Sequence, residues 1–163
     1  MPDIEKKVVP FCRDDLLASK EKDQLAEWRA SFRENGNCAK ALDKAMSDNF
    51  ADNRMDTKKV LDTVVAEFGF ERTAHVLTAQ VFNHNWDGRY HSDVKDWAKE
   101  QMKDFSADFI EESRDYYLNS HPILIDGVAK TAMTEQVKEI SQDMQTGSQK
   151  DKPPVKDKTS EIS

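Results

Sequence analysis

Apolar residues recur along this chain at helical spacing, not in strand alternation. Leu25, Trp28 and Phe32 lie three and four residues apart and predict a helix over 20–35. Ser19 stands at the N-cap position of that helix, with Glu21 and Asp23 near its positive end. Asn35-Gly36-Asn37 reads as a stop, Gly36 taking the C′ position and Asn37 capping a second helix over 38–50. Ala39, Leu42, Ala45, Met46 and Phe50 share one side of that second helix. A loop is expected over 51–56. Asp56 then caps a third helix carrying Val60, Leu61, Val64, Val65 and Phe68, which Gly69 ends. Residues 70–84 form the most apolar stretch, with Phe70, Ala74, Val76, Leu77, Val81 and Phe82, and predict the central helix. Asn83 to His91 reads as a turn around Asp87-Gly88. Ser92 caps the next helical stretch, and Ser120-His121-Pro122 opens another, with proline in its first turn.

The flanks read differently. Val8, Val9 and Pro10 predict an extended lead-in over 1–12, with a minor strand as its one β option. A short helical turn follows over 14–18. Apolar positions thin out after Met144, and Pro153-Pro154 with alternating charge predicts a disordered tail over 146–163. The expected fold is mainly α: a compact bundle of about six helices over 13–145, between lead-in and tail.

Charge narrows the function classes. The net charge is −7, and before Gly147 the chain has 20 bases against 28 acids. Such a body does not hold a phosphate backbone by bulk charge, so no direct sequence-specific DNA binding is expected. It serves either solubility alone or a protein partner with a basic, nucleic-acid-binding surface. Cys12 and Cys38 stand without an export signal, so free thiols and a reducing cytoplasm are expected. No apolar run approaches a membrane span. The five glycines are too scattered for a P-loop, a dinucleotide fingerprint or a nucleophile elbow, so no cofactor is expected.

Several motifs follow one another in order: Trp28-Arg29-Ala30-Ser31, Asn37-Cys38-Ala39-Lys40-Ala41-Leu42, Glu67-Phe68-Gly69-Phe70-Glu71-Arg72, Trp86-Asp87-Gly88-Arg89, Trp97-Ala98 and Asn119-Ser120-His121-Pro122. As an ordered set, covering roughly residues 8 to 128, they resemble a small domain of unknown function that recurs in mobile genetic elements of gut Firmicutes. That resemblance implies carriage on a plasmid, prophage or conjugative element. It further implies an antagonist of host defence, similar to anti-CRISPR inhibitors of the RNA-guided nuclease Cas9. It supplies no catalytic residues.

Two constellations offer chemistry. Asp93, Asp96, Glu100, Asp104, Asp108, Glu111 and Asp115 recur every three or four residues, one acidic stripe if the helix is continuous. The stripe reads either as a solvated face or as carboxylates that enter a basic nucleic-acid channel. Trp97 falls among the acids on this wheel, as an exposed interface anchor. A helix break with Ser106 as a new N-cap would end the stripe. The second constellation is the 86–91 loop, where Arg89 is expected to pair with Asp87 or with a helix C-terminus, and Trp86 and Tyr90 to fold back on the core. Asp87, His91 and, from elsewhere, His121 are the candidate acid–base groups of an enzyme. His75, inside the central helix, reads as a hydrogen-bonded structural residue. The spacing of His84, Asp87, His91 and Asp93 matches no zinc pattern, and no metal site is expected.

The leading expectation is a non-enzymatic, anti-CRISPR-like inhibitor whose Asp93, Asp96, Trp97, Glu100, Asp104 and Asp108 contact a partner such as a Cas9–guide RNA complex. The first alternative is a metal-dependent ribonuclease that truncates guide RNA, requiring Mg2+ and using Asp87, His91 and His121. The second is a non-catalytic regulatory or scaffold module of a conjugative element.

Overall fold

The computed structural model describes residues 8–151, with side chains described over 8–138. In chain order the elements are α1 (Leu16–Glu21), α2 (Leu25–Asp48), β1 (Phe50–Ala51), β2 (Arg54–Met55), α3 (Thr57–Phe68), α4 (Phe70–Asn83), α5 (Ser92–Met102), α6 (Ala107–Glu112), a 3-10 turn (Ser113–Asp115) and α7 (Pro122–Asp151). The chain is mainly α, with seven α-helices among the described residues. It divides into two compact units, Met1–Ala132 and Met133–Ser163. What is described of the second unit continues α7, where Lys138 pairs with Glu135 at 3.6 Å. Of the expected tail, residues 146–151 belong to α7, and 152–163 lie outside the described residues, as do 1–7 of the lead-in. No helix among the described residues is long and apolar enough to cross a membrane.

The first helical region departs from its expected boundaries. Asp15 caps α1, its carboxylate accepting from the Ala18 N–H at 2.8 Å, and the helix expected to start after Ser19 begins instead at Leu25, with Gln24 at its N-cap position and no side-chain cap bond. Ser19 is buried inside α1. Asp23 takes a positive φ of 59° in the turn to α2. The helices expected over 20–35 and 38–50 are a single helix, because Asn35-Gly36-Asn37 does not stop α2. Asn35 is buried and accepts from the Arg72 Nε–H at 2.8 Å, while Cys38, Ala39 and Leu42 pack on the same inner side. Tertiary burial here overrides a local preference worth about 1 kcal/mol for the glycine.

The expected 51–56 loop is a two-residue hairpin. Phe50 pairs with Met55 and Ala51 with Arg54, and Asp52 and Asn53 both take positive φ, 55° and 60°. Two left-handed turn residues match the right-handed twist of the flanking strands. Asp56 caps α3 as expected, accepting from the Lys59 N–H at 3.1 Å. Gly69, at φ 87°, ends α3 and begins α4, a conformation few other residues adopt.

Helix α4 is central, every residue from Arg72 to Val81 being buried. It packs on α2, α3 and α5. His75 lies within a cluster of rings, 4.8 Å from Phe11, 5.3 Å from Phe109, and 5.5 Å from both Phe105 and Tyr116 between centroids. Its Nε2 meets the Tyr116 hydroxyl at 2.5 Å. Arg72 fixes the lead-in, donating to the carbonyls of Val9 (2.5 Å) and Pro10 (3.1 Å) and to the Ser31 hydroxyl (2.9 Å). Those bonds hold the described part of the lead-in as an irregular strap, without a strand.

Candidate functional site

The acidic segment is two helices, not one rod. Helix α5 stops at Met102, and Ser106 caps α6 by accepting from the Phe109 N–H at 3.0 Å. The Ser106 hydroxyl also donates to Asp15 Oδ2 at 2.5 Å, so the caps of α1 and α6 are joined. That bond, with the one from Ala18, lowers the pKa of the Asp15 carboxyl. A single helical wheel therefore fails beyond residue 102. At the start of α5, His91 occupies the N-cap position assigned above to Ser92, and its side chain makes no cap bond.

Asp93, Asp96, Glu100, Asp104 and Asp108 are all exposed. Among the described residues only Glu100 of these five makes an ion pair, to Lys103 at 2.5 Å. Asp93 spends one oxygen on the Val94 N–H at 2.9 Å. Asp96 and Glu100 share the outer side of α5, Asp104 lies in the joint, and Asp108 sits in the first turn of α6. Beyond them Glu112 has its pKa raised by burial, reinforced by the Asp15 and Asp108 carboxylates.

Trp97 does not stand in this face. It is 8% exposed and belongs to the buried stripe of α5 with Val94, Ala98 and Met102. Residues 94, 97 and 98 are adjacent on a helix, so the packing that buries Val94 and Ala98 also covers the indole. The exposed tryptophan is Trp86, 74% accessible in the turn after α4, where it was expected to fold back on the core. Tyr90, from the same turn, is buried as expected.

The three acid–base candidates are engaged separately. Asp87 accepts from Arg89 three times: from the backbone N–H (2.9 Å), Nε (3.0 Å) and Nη2 (2.8 Å). The Arg89 side chain, followed by its backbone N–H, holds the Asp87 carboxyl down to about 2. His91 donates its backbone N–H to Asp126 Oδ1 at 2.9 Å, and its Nδ1 faces Asp126 Oδ2. Asp126 is buried and His91 exposed. His121 caps α7: its Nδ1 accepts from the Ile123 N–H at 3.1 Å. No hydrogen bond or ion pair joins Asp87, His91 and His121 to one another. Among the described residues no group of three or more His, Cys, Asp or Glu is placed to hold a metal ion. Cys38 is buried, which pushes its thiol up to about 12, and Cys12 is half-buried with its thiol 3.7 Å from the Asp14 carbonyl.

Sequence reading missed two features. One is the buried hydrogen-bonding set of Arg72, Asn35 and Ser31. The other is a cavity of about 220 Å³ lined by Gln80, Asn83, His84, Ser113, Arg114, Tyr116 and Tyr117. Its two lining segments are some thirty residues apart, so no local motif announces it.

A family model described as protein of unknown function (DUF3849) matches residues 12–137, close to the span of the ordered motifs. No curated protein and no solved structure matches the chain.

Proposed function

The chain belongs to the DUF3849 family of proteins of unknown function, and from that premise we propose that it is an acidic inhibitor acting by protein–protein contact. Its target in this reading is a basic nucleic-acid surface on a host RNA-guided nuclease such as Cas9, where docking blocks nucleic-acid binding or cleavage. One observation carries the proposal. Residues 92–112 hold seven acids against three lysines, and five of those acids form an exposed face with a single ion pair among them. Carboxylates left without cations are attracted to a cationic channel and compete there with phosphates. The break at 103–106 makes this face a jointed pair of helices. Trp97 supports it from beneath by anchoring α5, and makes no contact with the partner. Carriage on a mobile element rests on the resemblance of the ordered motifs, and the anti-CRISPR character on the habit of such elements of encoding small acidic antagonists of host defence.

A guide-trimming ribonuclease is the second reading, and His91 is the observation in its favour. An exposed imidazole whose Nδ1 faces a buried carboxylate keeps Nε2 for proton transfer. Asp87, committed to Arg89, and His121, committed to a helix cap, give that reading less support.

The discriminating experiment incubates the protein with a Cas9–guide complex and target DNA, with and without added Mg2+, and resolves both nucleic acids on a denaturing gel. The inhibitor reading expects uncut DNA and intact guide. Uncut DNA with shortened guide supports the ribonuclease. Normal DNA cutting contradicts both and moves weight to a scaffold role.

A further inference from the structure

The cavity between the end of α4 and the 3-10 turn is separate from the acidic face, and its polar groups are not all in use. The Ser113 hydroxyl donates to the Ile110 carbonyl at 2.6 Å. Its oxygen therefore receives the Asn83 amide N–H, at 3.1 Å, which leaves the Asn83 carbonyl oxygen as an acceptor without a partner among the described residues. The Gln80 carbonyl can only accept, so the His84 Nδ1, 2.9 Å away, carries the proton. In the neutral ring His84 Nε2 then keeps a lone pair, and no hydrogen bond among the described residues uses it. Asn83 and His84 both line the cavity.

The other lining segment is aromatic and cationic. Tyr117 is 59% exposed, and no hydrogen bond among the described residues uses its hydroxyl. Arg114 is the only charged lining residue; Glu111 takes one of its N–H groups at 3.0 Å. The exposed Trp86 lies next to a lining residue, its ring centroid 6.1 Å from that of His84. The volume is below the roughly 300–1,000 Å³ of pockets that enclose a drug-sized ligand, so it admits one ring system.

We propose that this cavity binds a single nucleobase carrying an exocyclic amine, stacked on Tyr117 with Trp86 beside His84. The amine donates to the Asn83 carbonyl oxygen and His84 Nε2, and Arg114 faces the phosphate carried on the ribose of that nucleotide. Arg114 excludes the other planar donor, a partner's arginine side chain, because two guanidinium groups in one small cavity repel. Aromatic stacking with hydrogen bonds to the base edge is how unpaired bases are held, and it needs no basic protein surface. The base has two sources, a free nucleotide or an unpaired position in single-stranded RNA.

Isothermal titration of the full chain with AMP, CMP and UMP, and with a short adenine oligoribonucleotide, tests the proposal. AMP and CMP are expected to bind more tightly than UMP, which has no exocyclic amine. Tyr117→Ala changes an exposed side chain, leaves folding intact, and should weaken AMP or the oligonucleotide about tenfold or more. Similar affinity for AMP and the oligonucleotide identifies a free nucleotide as ligand; binding of the oligonucleotide alone identifies RNA. Absence of heat with all four ligands, measurable binding of UMP as tight as that of AMP, or indifference to Tyr117→Ala overturns the proposal. Because none of these residues lies in the acidic face, loss of nuclease inhibition leaves this result unaffected.

Discussion

Arg72 is 2% exposed and has no carboxylate within ion-pairing distance among the described residues; its charge is spread over two backbone carbonyls, an amide and a hydroxyl. Hydrogen bonds to a charged group are worth more than neutral ones, and each acceptor abandoned in a buried site costs its own desolvation. Arg72→Met is expected to lower unfolding stability by about 3 kcal/mol or more and to release the lead-in. Urea denaturation measures the first effect and faster amide exchange at Phe11 and Cys12 the second. His75 gives a pH dependence. Burial, helped by the charges of Arg13 and Arg72, pushes its imidazole down to about 3 from an ordinary 6.5. Between those values the unfolded chain takes up a proton that the folded chain refuses, so stability falls as pH drops below about 6.5, down to about 3. Urea midpoints between pH 7.5 and 4.5 should show this, with a shallower fall in His75→Phe; equal slopes in the two proteins contradict the assignment. The structural role of His75 was legible from its place inside an apolar helix. The role of Arg72 was not, because its partners lie 37 to 63 residues away.

Gly36 and Gly69 look alike as local stop signals, and only one of them is a stop. Gly69 holds φ 87° between two helices, and a Cβ there lies 3.6 Å from Val8 Cγ1. Gly36 lies inside α2, where a Cβ meets nothing within 4 Å. The same substitution should therefore act with opposite signs. Gly36→Ala is expected to raise stability by about 0.5–1 kcal/mol, and Gly69→Ala to lower it by about 1 kcal/mol or more. Thermal melts of the two variants check both signs at once. Helix faces were legible wherever periodicity was long, as in α3 and α4. Junctions were legible only in part: Asp56, Gly69 and the break capped by Ser106 stand where local signals put them, whereas Asn35-Gly36-Asn37 was overridden by burial of Asn35. Trp97 and Trp86 exchange their expected places for a related reason. A wheel places an indole on a helix, but only the packing of α5 on α4 shows which edge of the apolar stripe is covered.

Charge is organised unevenly over the molecule. The 92–112 segment, about an eighth of the chain, carries a local balance of −4 against −7 for the whole. Composition made an acidic protein evident, and the structure adds that the carboxylates point outward from two joined helices. A contact made this way is steered by charge and weakened by salt. The replacement Asp96→Asn, Glu100→Gln, Asp104→Asn, Asp108→Asn removes four charges from exposed positions without touching the buried stripe beneath. The central claim is tested most directly by the affinity of wild type and this fourfold variant for a Cas9–guide complex between 50 and about 300 mM salt. The account predicts wild-type binding that weakens steeply with salt, and a variant that keeps its helical circular dichroism but binds at least tenfold more weakly at low salt. Undiminished binding by the variant, with the same salt dependence as wild type, contradicts it.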